Sequence, residues 1–531
     1  MDIVNITLWS EATSFPVLTT LTLVPLITML IVLLLPSPVL ALRAGFVGAI
    51  LTILLSIYLL LVFDTAQPGI QLYEQIQNLI VTYTVGVDGT SVLFIPLTAI
   101  LMLVALIYTT TTRRSSDRIQ IACILGYGTI LIAAFSAMNA LQFWFFCLLE
   151  LVPVVIMTIR AGSGQNRRWV VALLLQHWGS GLLMVLAGFM LLGFGVMGTN
   201  EVLSFDWFAL RHSDTELEYA TLIFVLLFFG FAIRMPLFPF HAWLPILAEQ
   251  GTIASAGIFL IGIKLGIYAV IRFVIPFIPE TAEQWADFVM ILGLIGIFYG
   301  ALLALMQINI RRLLAFAVIS QTGMLIIGVF DFNTYGMEGS VLLSLSFGLA
   351  TAGILFSIGM IYKRMHTAYI TRLGGMFDAN PAIAVLFVIC ALSTMVMPGT
   401  PGFDGIHLLV EGTIKGHGWL VSIAILIGNV LAAALLLRAF QQIFIAEPKR
   451  FQGPFLYSPK TTSTPPSVKN EGIIATVICS LIIVVGVNTS PWLHMIDQGV
   501  SPMSELHSTT YNEQHTDTTT VLTNTKDIQD E

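Results

Sequence analysis

Apolar stretches of about the length that crosses a lipid bilayer recur along almost the whole of this chain. A membrane-spanning helix needs about 20 predominantly apolar residues in a row. Lipid cannot satisfy backbone hydrogen bonds, so the chain must satisfy them within each spanning helix. Charged residues make up only 10% of the chain, against about 25% in soluble domains. The sequence therefore predicts an all-α, polytopic membrane protein.

About fourteen stretches have the length of a membrane span. They are 15–36, 39–63, 88–110, 119–138, 140–160, 169–195, 218–240, 254–276, 284–306, 312–331, 338–363, 380–414, 418–445 and 471–495. Segment 200–212 is too polar to cross and is predicted to be an amphipathic helix at the membrane surface. The net charge of −7 gives no case for nucleic-acid binding. The four cysteines stand singly in apolar runs, which is typical of small core residues.

Lysine and arginine are concentrated in the odd-numbered loops between the predicted spans. These loops carry Arg113, Arg114, Arg118, Arg160, Arg167, Arg168, Arg311, Arg312, Lys363, Arg364, Arg372, Lys449, Arg450, Lys460 and Lys469. In the even-numbered loops Arg211 and Lys415 are the exceptions. Positive charge in short loops favours the cytoplasmic side. We therefore predict that the odd loops face the cytoplasm and that both termini lie across the membrane.

Two spans contain the same proline-rich interruption. Met235-Pro236-Leu-Phe-Pro239 in the seventh span matches Met397-Pro398-Gly-Thr-Pro401 in the twelfth. Proline removes a helical donor and clashes with the preceding turn, so both helices should break there. Each break lies in the fourth span of a five-span group, and an odd number of spans makes the two groups inverted. Inverted repeats with broken helices are typical of ion-translocating membrane proteins.

This pattern divides the chain into five parts. We predict an N-terminal unit of three spans at 1–118, a first repeat at 119–280, a second, inverted repeat at 281–445, a loop and last span at 446–495, and a flexible polar tail at 496–531. The tail is rich in Thr, Ser and Asp and has few large apolar residues.

Ionisable residues inside the spans are the candidate functional groups, because each is costly in a membrane. Glu150 lies in the middle of the fifth span, and Arg234 stands at the first break in the same repeat, which makes it the natural partner. A buried ion pair can also be a static link between two helices, or Arg234 can extend to the membrane surface. Lys264, in the middle of the eighth span, is the candidate for a group that binds and releases protons. His241, just past the break, either titrates or is a satisfied histidine at a helix end.

The second break is followed by Asp404, His407 and Glu411, spaced so that one helical face carries all three. The spacing resembles that of a metal site, but the surroundings are apolar and favour a proton wire or exit. Lys415 continues the same face and can pair with Glu411.

The motifs along the chain resemble those of one known family. The third span opens G-V-D-G-T-S, the fifth carries Glu150, and the seventh reads R-M-P-L-F-P-F-H-A-W-L-P. The eighth reads G-I-K-L-G-I-Y-A-V-I-R-F and the twelfth M-P-G-T-P-G-F. Over nearly its whole length the chain resembles the antiporter-like subunit 4, of the M or D type, of complex I. The resemblance implies a proton-pumping membrane subunit of a NAD(P)H or ferredoxin:plastoquinone oxidoreductase that holds no cofactor itself, with iron–sulfur clusters and quinone in partner subunits.

Several positions depart from the pattern of that family. Arg234 replaces a lysine, Ile406 a glutamate, Phe347 and Gln321 each a histidine, and Ile246 an aspartate. The proton-relay role that the resemblance implies therefore carries over to Glu150 and Lys264. Arg234 keeps only the positive charge, and the role does not carry over to Ile406 or Phe347. The departures resemble the divergent D-type subunit of the cyanobacterial complex I that serves carbon dioxide uptake. That subtype implies a thylakoid location with lumenal termini, a role in cyclic electron flow, and partners among membrane-arm subunits, lipids and a carbon dioxide-hydrating module.

Two other functions stay open at this point: a subunit of a cation/proton antiporter, and a proton-conducting scaffold for a carbon dioxide-hydrating module. The sequence has no dinucleotide-binding glycine motif, phosphate-binding loop or cysteine cluster that would predict a stand-alone enzyme.

Overall fold

The computed structural model describes residues 6–76, 82–111, 117–200, 203–211, 219–251, 256–447 and 469–502, with backbone only at 198–200 and 256–260. Its described part is almost entirely helical, and ten helices in it are long and apolar enough to cross a membrane. Three shorter apolar helices accompany them. The predicted all-α polytopic fold is therefore confirmed. Most of the predicted loop at 446–470 and the tail from residue 503 onward lie outside the described residues.

The helices before the first break are α1 (Trp9–Ala12), α2 (Val17–Leu34), α3 (Pro38–Val62), α4 (Phe94–Thr110), α5 (Arg118–Ser136), α6 (Ala140–Leu149), α7 (Leu151–Ala161), α8 (Arg167–Asn200), α9 (Trp207–Arg211) and α10 (Ala220–Arg234). Between the breaks lie α11 (Trp243–Gln250), α12 (Ala256–Ala269), α13 (Pro279–Gln284), α14 (Ala286–Met306), α15 (Ile310–Val329), α16 (Thr334–Met365), α17 (Met376–Ala379) and α18 (Pro381–Thr394). After the second break come α19 (Pro401–Gly416), α20 (Trp419–Phe440), α21 (Lys469–Val487) and α22 (490–502). Two π-helical turns, Val270–Val274 and Gln441–Ile445, extend α12 and α20.

Each of the predicted spans has a helical counterpart, but the C-terminal end differs from the prediction. The last span ends at Val487, and α22 follows after a short interruption. The predicted flexible tail therefore begins too early, because residues 496–502 are helical. Ile496 and Val500, one turn apart in α22, are fully buried, and this packing holds the segment in place. Of the predicted surface helix at 200–212, the structure describes a helix only at α9.

A small sheet at the N-terminal end was not predicted. It consists of β1 (Ile6–Leu8), β2 (Ile70–Ile76) and β3 (Tyr83–Val87), with β1 parallel to β2 and β2 antiparallel to β3. Glu74 on β2 accepts hydrogen bonds from the backbone N–H groups of Leu18 (2.8 Å) and Thr19 (3.0 Å) in the first turn of α2. Burial raises the pKa of the Glu74 carboxyl, while these hydrogen bonds oppose the rise. The carboxyl thus satisfies donors that have no partner within the helix.

Both predicted helix breaks are present. Residues 235–242 separate α10 from α11, and residues 395–400 separate α18 from α19. At the first break, the Trp243 indole of α11 donates a hydrogen bond to the Ile233 carbonyl of α10 at 2.9 Å and so links the two helices. At the second, Gly399 has a φ of 85°, a conformation that glycine adopts without a steric penalty. Pro401 begins α19, where its missing donor costs nothing.

The centre of the molecule lies along α15 and α16. In each of these helices, 94% of the most apolar 18-residue stretch is buried within the protein, against 33% in α2, α3 and α20. The outer helices therefore present much apolar surface to lipid or to other subunits. The interior position of α16 matters for the site, because this second-repeat helix faces α12 of the first repeat.

Candidate functional site

Glu150 stands at the junction of α6 and α7, where Pro153 cannot donate a helical hydrogen bond. Its side chain is fully buried. The carboxylate pairs with the Arg234 guanidinium and accepts a hydrogen bond from the Tyr127 hydroxyl. The structure thus brings together the two ionic residues that the sequence predicts as partners, and adds Tyr127.

Arg234 is the last residue of α10, so the first break places its charge at a helix C-terminus, where a cation is favoured. Its side chain is 5% exposed. The guanidinium carbon lies 4.3 Å from the ring centroid of Trp178 on α8. This position excludes the alternative in which Arg234 extends to the membrane surface.

Lys264 lies on α12 and is 2% exposed. Within the part of the chain that the structure describes, its Nζ has no hydrogen-bond partner. It lies 5.8 Å from the ring centroid of Phe347 on α16, in the second repeat. Two residues earlier, Gly262 packs so closely that a Cβ there would lie 2.0 Å from the Tyr127 hydroxyl oxygen and 2.6 Å from a Glu150 carboxylate oxygen. The helix that carries Lys264 therefore passes directly against the buried ionic pair.

His241 lies within the first break and is also buried, at 7% exposure. Its ring stacks on Phe238 at 5.7 Å and meets Tyr299 of α14 at 4.9 Å between centroids. Among the described residues, Nδ1 has no hydrogen-bond partner. His241 thus lies between the break of the first repeat and α14 of the second.

The structure does not bring Asp404, His407 and Glu411 together with the groups of the first repeat. Asp404 is half-buried and accepts a hydrogen bond from Thr489, whereas His407 is exposed. Glu411 forms the predicted pair with Lys415 at 2.9 Å, and both side chains are more than two-fifths exposed. The expected proton wire therefore lies on the outer face of α19, because its inner face carries small and apolar residues that pack on α16.

Backbone hydrogen bonds align the two repeats independently of the side chains. The second helix of each repeat, α6 or α15, begins after an asparagine, Asn139 or Asn309, whose side chain caps it. The backbone on either side of each asparagine pairs with the connection that precedes the broken helix. The bonds run from Ala140 N–H to Phe205 O (2.9 Å) and from Trp207 N–H to Met138 O (2.9 Å), and in the second repeat from Ile310 N–H to Ala368 O (3.0 Å) and from Ile370 N–H to Ile308 O (2.8 Å).

The same comparison corrects the register of the proline-rich interruptions. At the first break Leu237 N–H donates to Ala232 O at 3.0 Å, and at the second Met397 N–H donates to Leu392 O at 3.1 Å. Leu237 therefore corresponds to Met397, and the sequence match of Met235 with Met397 is wrong by two residues. The breaks are equivalent, but their prolines are not.

With this alignment, the positions equivalent to the three ionic residues carry no charge. The equivalence of Asn139 with Asn309 makes Glu150 correspond to Ser320, and that of Leu237 with Met397 makes Arg234 correspond to Thr394. When the π-helical turns that follow α12 and α20 are aligned, Lys264 corresponds to Leu435. Ser320 donates to the Ile297 carbonyl at 2.9 Å instead of holding a charge. The ionic site is thus confined to the first repeat.

Sequence reasoning missed several buried polar contacts. Tyr127 gave no signal, since a tyrosine in an apolar span is ordinary. Asp88 and Arg272 form a buried ion pair at 2.5 Å. They lie in the motifs of the third and eighth spans, and their opposite charges within apolar spans are the signal that indicates a pair. Arg364 forms a buried two-pronged pair with Glu471, although the loop charges predicted only a surface position.

Taken together, two inverted repeats with broken helices and buried ionic groups at one break define an ion-translocating membrane protein. Residues 137–432, more than half of the chain, match the family described as NADH:quinone oxidoreductase/Mrp antiporter, TM. The chain therefore belongs to that family.

Named relatives agree with this assignment. The NADH-quinone oxidoreductase subunit M of Rickettsia typhi is 30% identical over 75% of this chain and 81% of its own length. The NAD(P)H-quinone oxidoreductase chain 4 of Gloeobacter violaceus is 29% identical over 81% of this chain and 82% of its own. A chain of respiratory complex I from Thermus thermophilus superposes with a TM-score of 0.80 and 26% identity over 92% of this chain and 99% of its own. A chain of the Mrp complex from Dietzia sp. has the same fold, with a TM-score of 0.81 at 17% identity over 92% of this chain and 98% of its own.

Proposed function

We propose that this chain is a proton-translocating membrane subunit of a quinone oxidoreductase of the complex I type. The observation that carries the proposal is the buried group of Glu150, Arg234 and Tyr127 at the first helix break. On the adjoining helix lies Lys264, whose Nζ has no hydrogen-bond partner among the described residues. The names of relatives aligned over most of the chain support the same function.

The three ionic residues have different roles in this proposal. A guanidinium stays protonated, so Arg234 is a fixed counter-charge that holds Glu150 in the membrane. A lysine amine can bind and release a proton when buried, which makes Lys264 the relay. His241 lies at the contact of the two repeats and can pass a proton between them. Asp404, His407 and Glu411 complete the proposed set as groups at the outer face of α19.

The chemistry of electron transfer belongs to other subunits in this proposal. The chain holds no redox cofactor of its own, and its partners carry the iron–sulfur clusters and the quinone. The apolar outer faces of α2, α3 and α20 are the surfaces available to lipids and to neighbouring membrane-arm subunits. The proposal keeps the division of the chain into residues 1–118, 119–280, 281–445, 446–495 and 496–531. One boundary changes, because α22 crosses from the fourth part into the fifth.

The subtype is a finer part of the proposal. The departures from the family pattern at Ile406, Phe347 and Gln321 support the form of complex I that serves cyclic electron flow and carbon dioxide uptake. A thylakoid location with lumenal termini follows from that subtype and from the loop charges.

A cation/proton antiporter subunit is the second candidate, and the close fold match to a chain of the Mrp complex favours it. A proton-conducting scaffold for a carbon dioxide-hydrating module is the third. Purification of the intact assembly separates them, because iron–sulfur subunits, other antiporter subunits or a carbon dioxide-hydrating subunit would accompany the chain.

The direct test is Glu150→Gln in the assembled complex. Glutamine keeps the shape and can still accept hydrogen bonds from Tyr127 and Arg234, but it carries no charge. We expect the complex to assemble on a native gel, in smaller amount because the buried Arg234 loses its counter-charge. Redox-linked proton pumping per assembled complex should be strongly reduced in reconstituted vesicles. Pumping at the parent rate would refute the relay role, and failure to assemble would identify a static ion pair instead.

A further inference from the structure

A second buried pair of titratable side chains lies at one end of the second repeat. Asp331 is in the connection between α15 and α16, and His417 directly follows α19. The His417 Nδ1 lies 2.7 Å from one carboxylate oxygen of Asp331, and the Thr413 hydroxyl donates to the other at 2.8 Å. The Asp331 side chain is fully buried, whereas 8% of the His417 side chain remains exposed. The imidazole is therefore the member of the pair that reaches the surface.

Two features of the local structure act on the charges of this pair. His417 caps the C-terminus of α19, where a cation is stabilised by the helix dipole. Burial raises the pKa of the Asp331 carboxyl, while hydrogen bonds from His417 and Thr413 oppose the rise. An imidazolium at His417 would be balanced by an ionised Asp331 carboxylate.

Other charged groups nearby are engaged elsewhere. On α19, Glu411 pairs with Lys415, whose Nζ lies 3.7 Å from the Tyr335 ring centroid. On α16, the Glu338 side chain hydrogen-bonds Asp497 of α22. Within the described ranges, Asp331 and His417 form an ion pair only with each other.

A polar seam leads from this pair into the interior, between the antiparallel helices α15 and α16. Gly336 lies next to Asp331, since a Cβ there would be 2.7 Å from a carboxylate oxygen. One turn further along α16, the Ser340 hydroxyl donates to the Leu325 carbonyl of α15 at 3.0 Å. One turn further along each helix lie Ser344 on α16 and Gln321 on α15, each four residues from a member of that contact.

The inner end of the seam approaches the first repeat. Ser344 and Gln321 are each 1% exposed, and in the described residues their side-chain polar atoms have no hydrogen-bond partner. Buried polar groups without a protein partner are typically satisfied by water. Phe347, one turn beyond Ser344 on the same face, is the residue that faces Lys264. Polar side chains thus line the route from Asp331 to the turn next to Lys264.

We propose that Asp331 and His417 form a second proton-transfer site, which exchanges protons between the interior of the second repeat and the water on the side of the even-numbered loops. The proposal rests on the proposed function, since only a proton-translocating chain has use for it. The imidazole binds one proton and becomes an imidazolium held by the Asp331 carboxylate. Release of one proton to bulk water returns the neutral imidazole, so no other bond changes.

The test compares His417→Gln with His494→Gln in the assembled complex. Glutamine at 417 keeps an N–H donor for Asp331 but does not titrate near neutral pH. His494 is exposed on α22, on the predicted side of the even-numbered loops, and belongs to neither proposed site, which makes its substitution a matched control. Redox-linked pumping is measured in vesicles while the pH on the even-loop side is varied from about 5 to 8, the range in which histidine changes charge. We expect a severalfold loss and a flattened pH profile for His417→Gln, and the parent profile for His494→Gln.

Thr413→Val supplies a second readout that does not require the loss of the pair. It removes one hydrogen bond that lowers the Asp331 pKa, so the midpoint of the pH profile should move to higher pH. An unshifted midpoint in Thr413→Val, or an assembled His417→Gln with the parent rate and profile, would overturn the proposal. Glu150→Gln is measured in parallel. Normal pumping by Glu150→Gln would mean that the proposed function itself is wrong. Lost pumping by Glu150→Gln together with normal pumping by His417→Gln would reject only the second site.

Discussion

Replacement of Arg234 alone by methionine should destabilise the protein far more than replacement of both Arg234 and its partner Glu150. Methionine has a similar length but leaves the fully buried Glu150 carboxylate with only the Tyr127 hydroxyl. Breaking a buried ion pair by removing one member costs about 3–5 kcal/mol. The stacking of the guanidinium on Trp178 is lost as well, at about 2 kcal/mol for a desolvated site. Since a domain is stable by only about 5–15 kcal/mol, we expect much less assembled complex.

The double variant Arg234→Met/Glu150→Gln removes both charges and leaves a neutral amide that Tyr127 can still reach. We expect it to regain about 3 kcal/mol over Arg234→Met, or roughly 100-fold in the folding equilibrium. Arg234→Lys keeps the charge and should assemble and pump well above Arg234→Met. The assays are the amount of complex on a native gel, thermal unfolding in detergent, and proton pumping in vesicles. If the double variant assembles no better than Arg234→Met, the two residues are not coupled and the reasoning from burial is wrong.

Three further predictions follow from the same contacts. Lys264→Met should leave assembly intact, because methionine fills similar volume, and should reduce pumping to near zero in vesicles; pumping at the parent rate would show that the proton path avoids Lys264. Gly262→Ala should impair assembly or pumping, because its Cβ would lie 2.0 Å from the Tyr127 hydroxyl oxygen, whereas Gly179→Ala, with nothing within 4 Å, should be neutral in both assays. Ser10→Cys and Arg168→Cys, both at exposed positions, should react with a membrane-impermeant thiol reagent from opposite sides; the native cysteines are buried, and labelling of both from one side would contradict the predicted topology.

The sequence was sufficient for the features that depend on local composition. Span positions follow from the length of apolar runs, and both helix breaks follow from prolines within them. Glu150 and Arg234 could be paired because an ionised group in a membrane needs a partner, and the first repeat offers few. The buried cysteines and the pair of Glu411 with Lys415 were also predictable, from residue type and helical spacing.

Features that depend on how distant elements approach each other could not be predicted. Tyr127 joins the ionic site only because α5 and α12 pack against Glu150, which no spacing along the chain indicates. The N-terminal sheet joins β1 to β2, although three helices lie between them in the chain. The pair of Asp331 and His417 is formed by two short connections that meet at the end of a helix. The three residues after the second break were placed correctly on one helical face, but that periodicity does not reveal which face is buried.

The alignment of the repeats explains how one half of the chain can lose its charges and keep its fold. The equivalences at Asn139 and Asn309 and at the two breaks are made by backbone hydrogen bonds and helix caps. Such contacts do not depend on the side chains at the positions of Glu150, Arg234 and Lys264, where the second repeat has Ser320, Thr394 and Leu435. Neutral residues at these positions remove the cost of burying charge, so they stabilise the scaffold while they remove its titrating groups. The two halves are therefore free to differ in chemistry. Under the proposed function, protons that cross the second repeat pass uncharged side chains in its interior and titratable groups at its end.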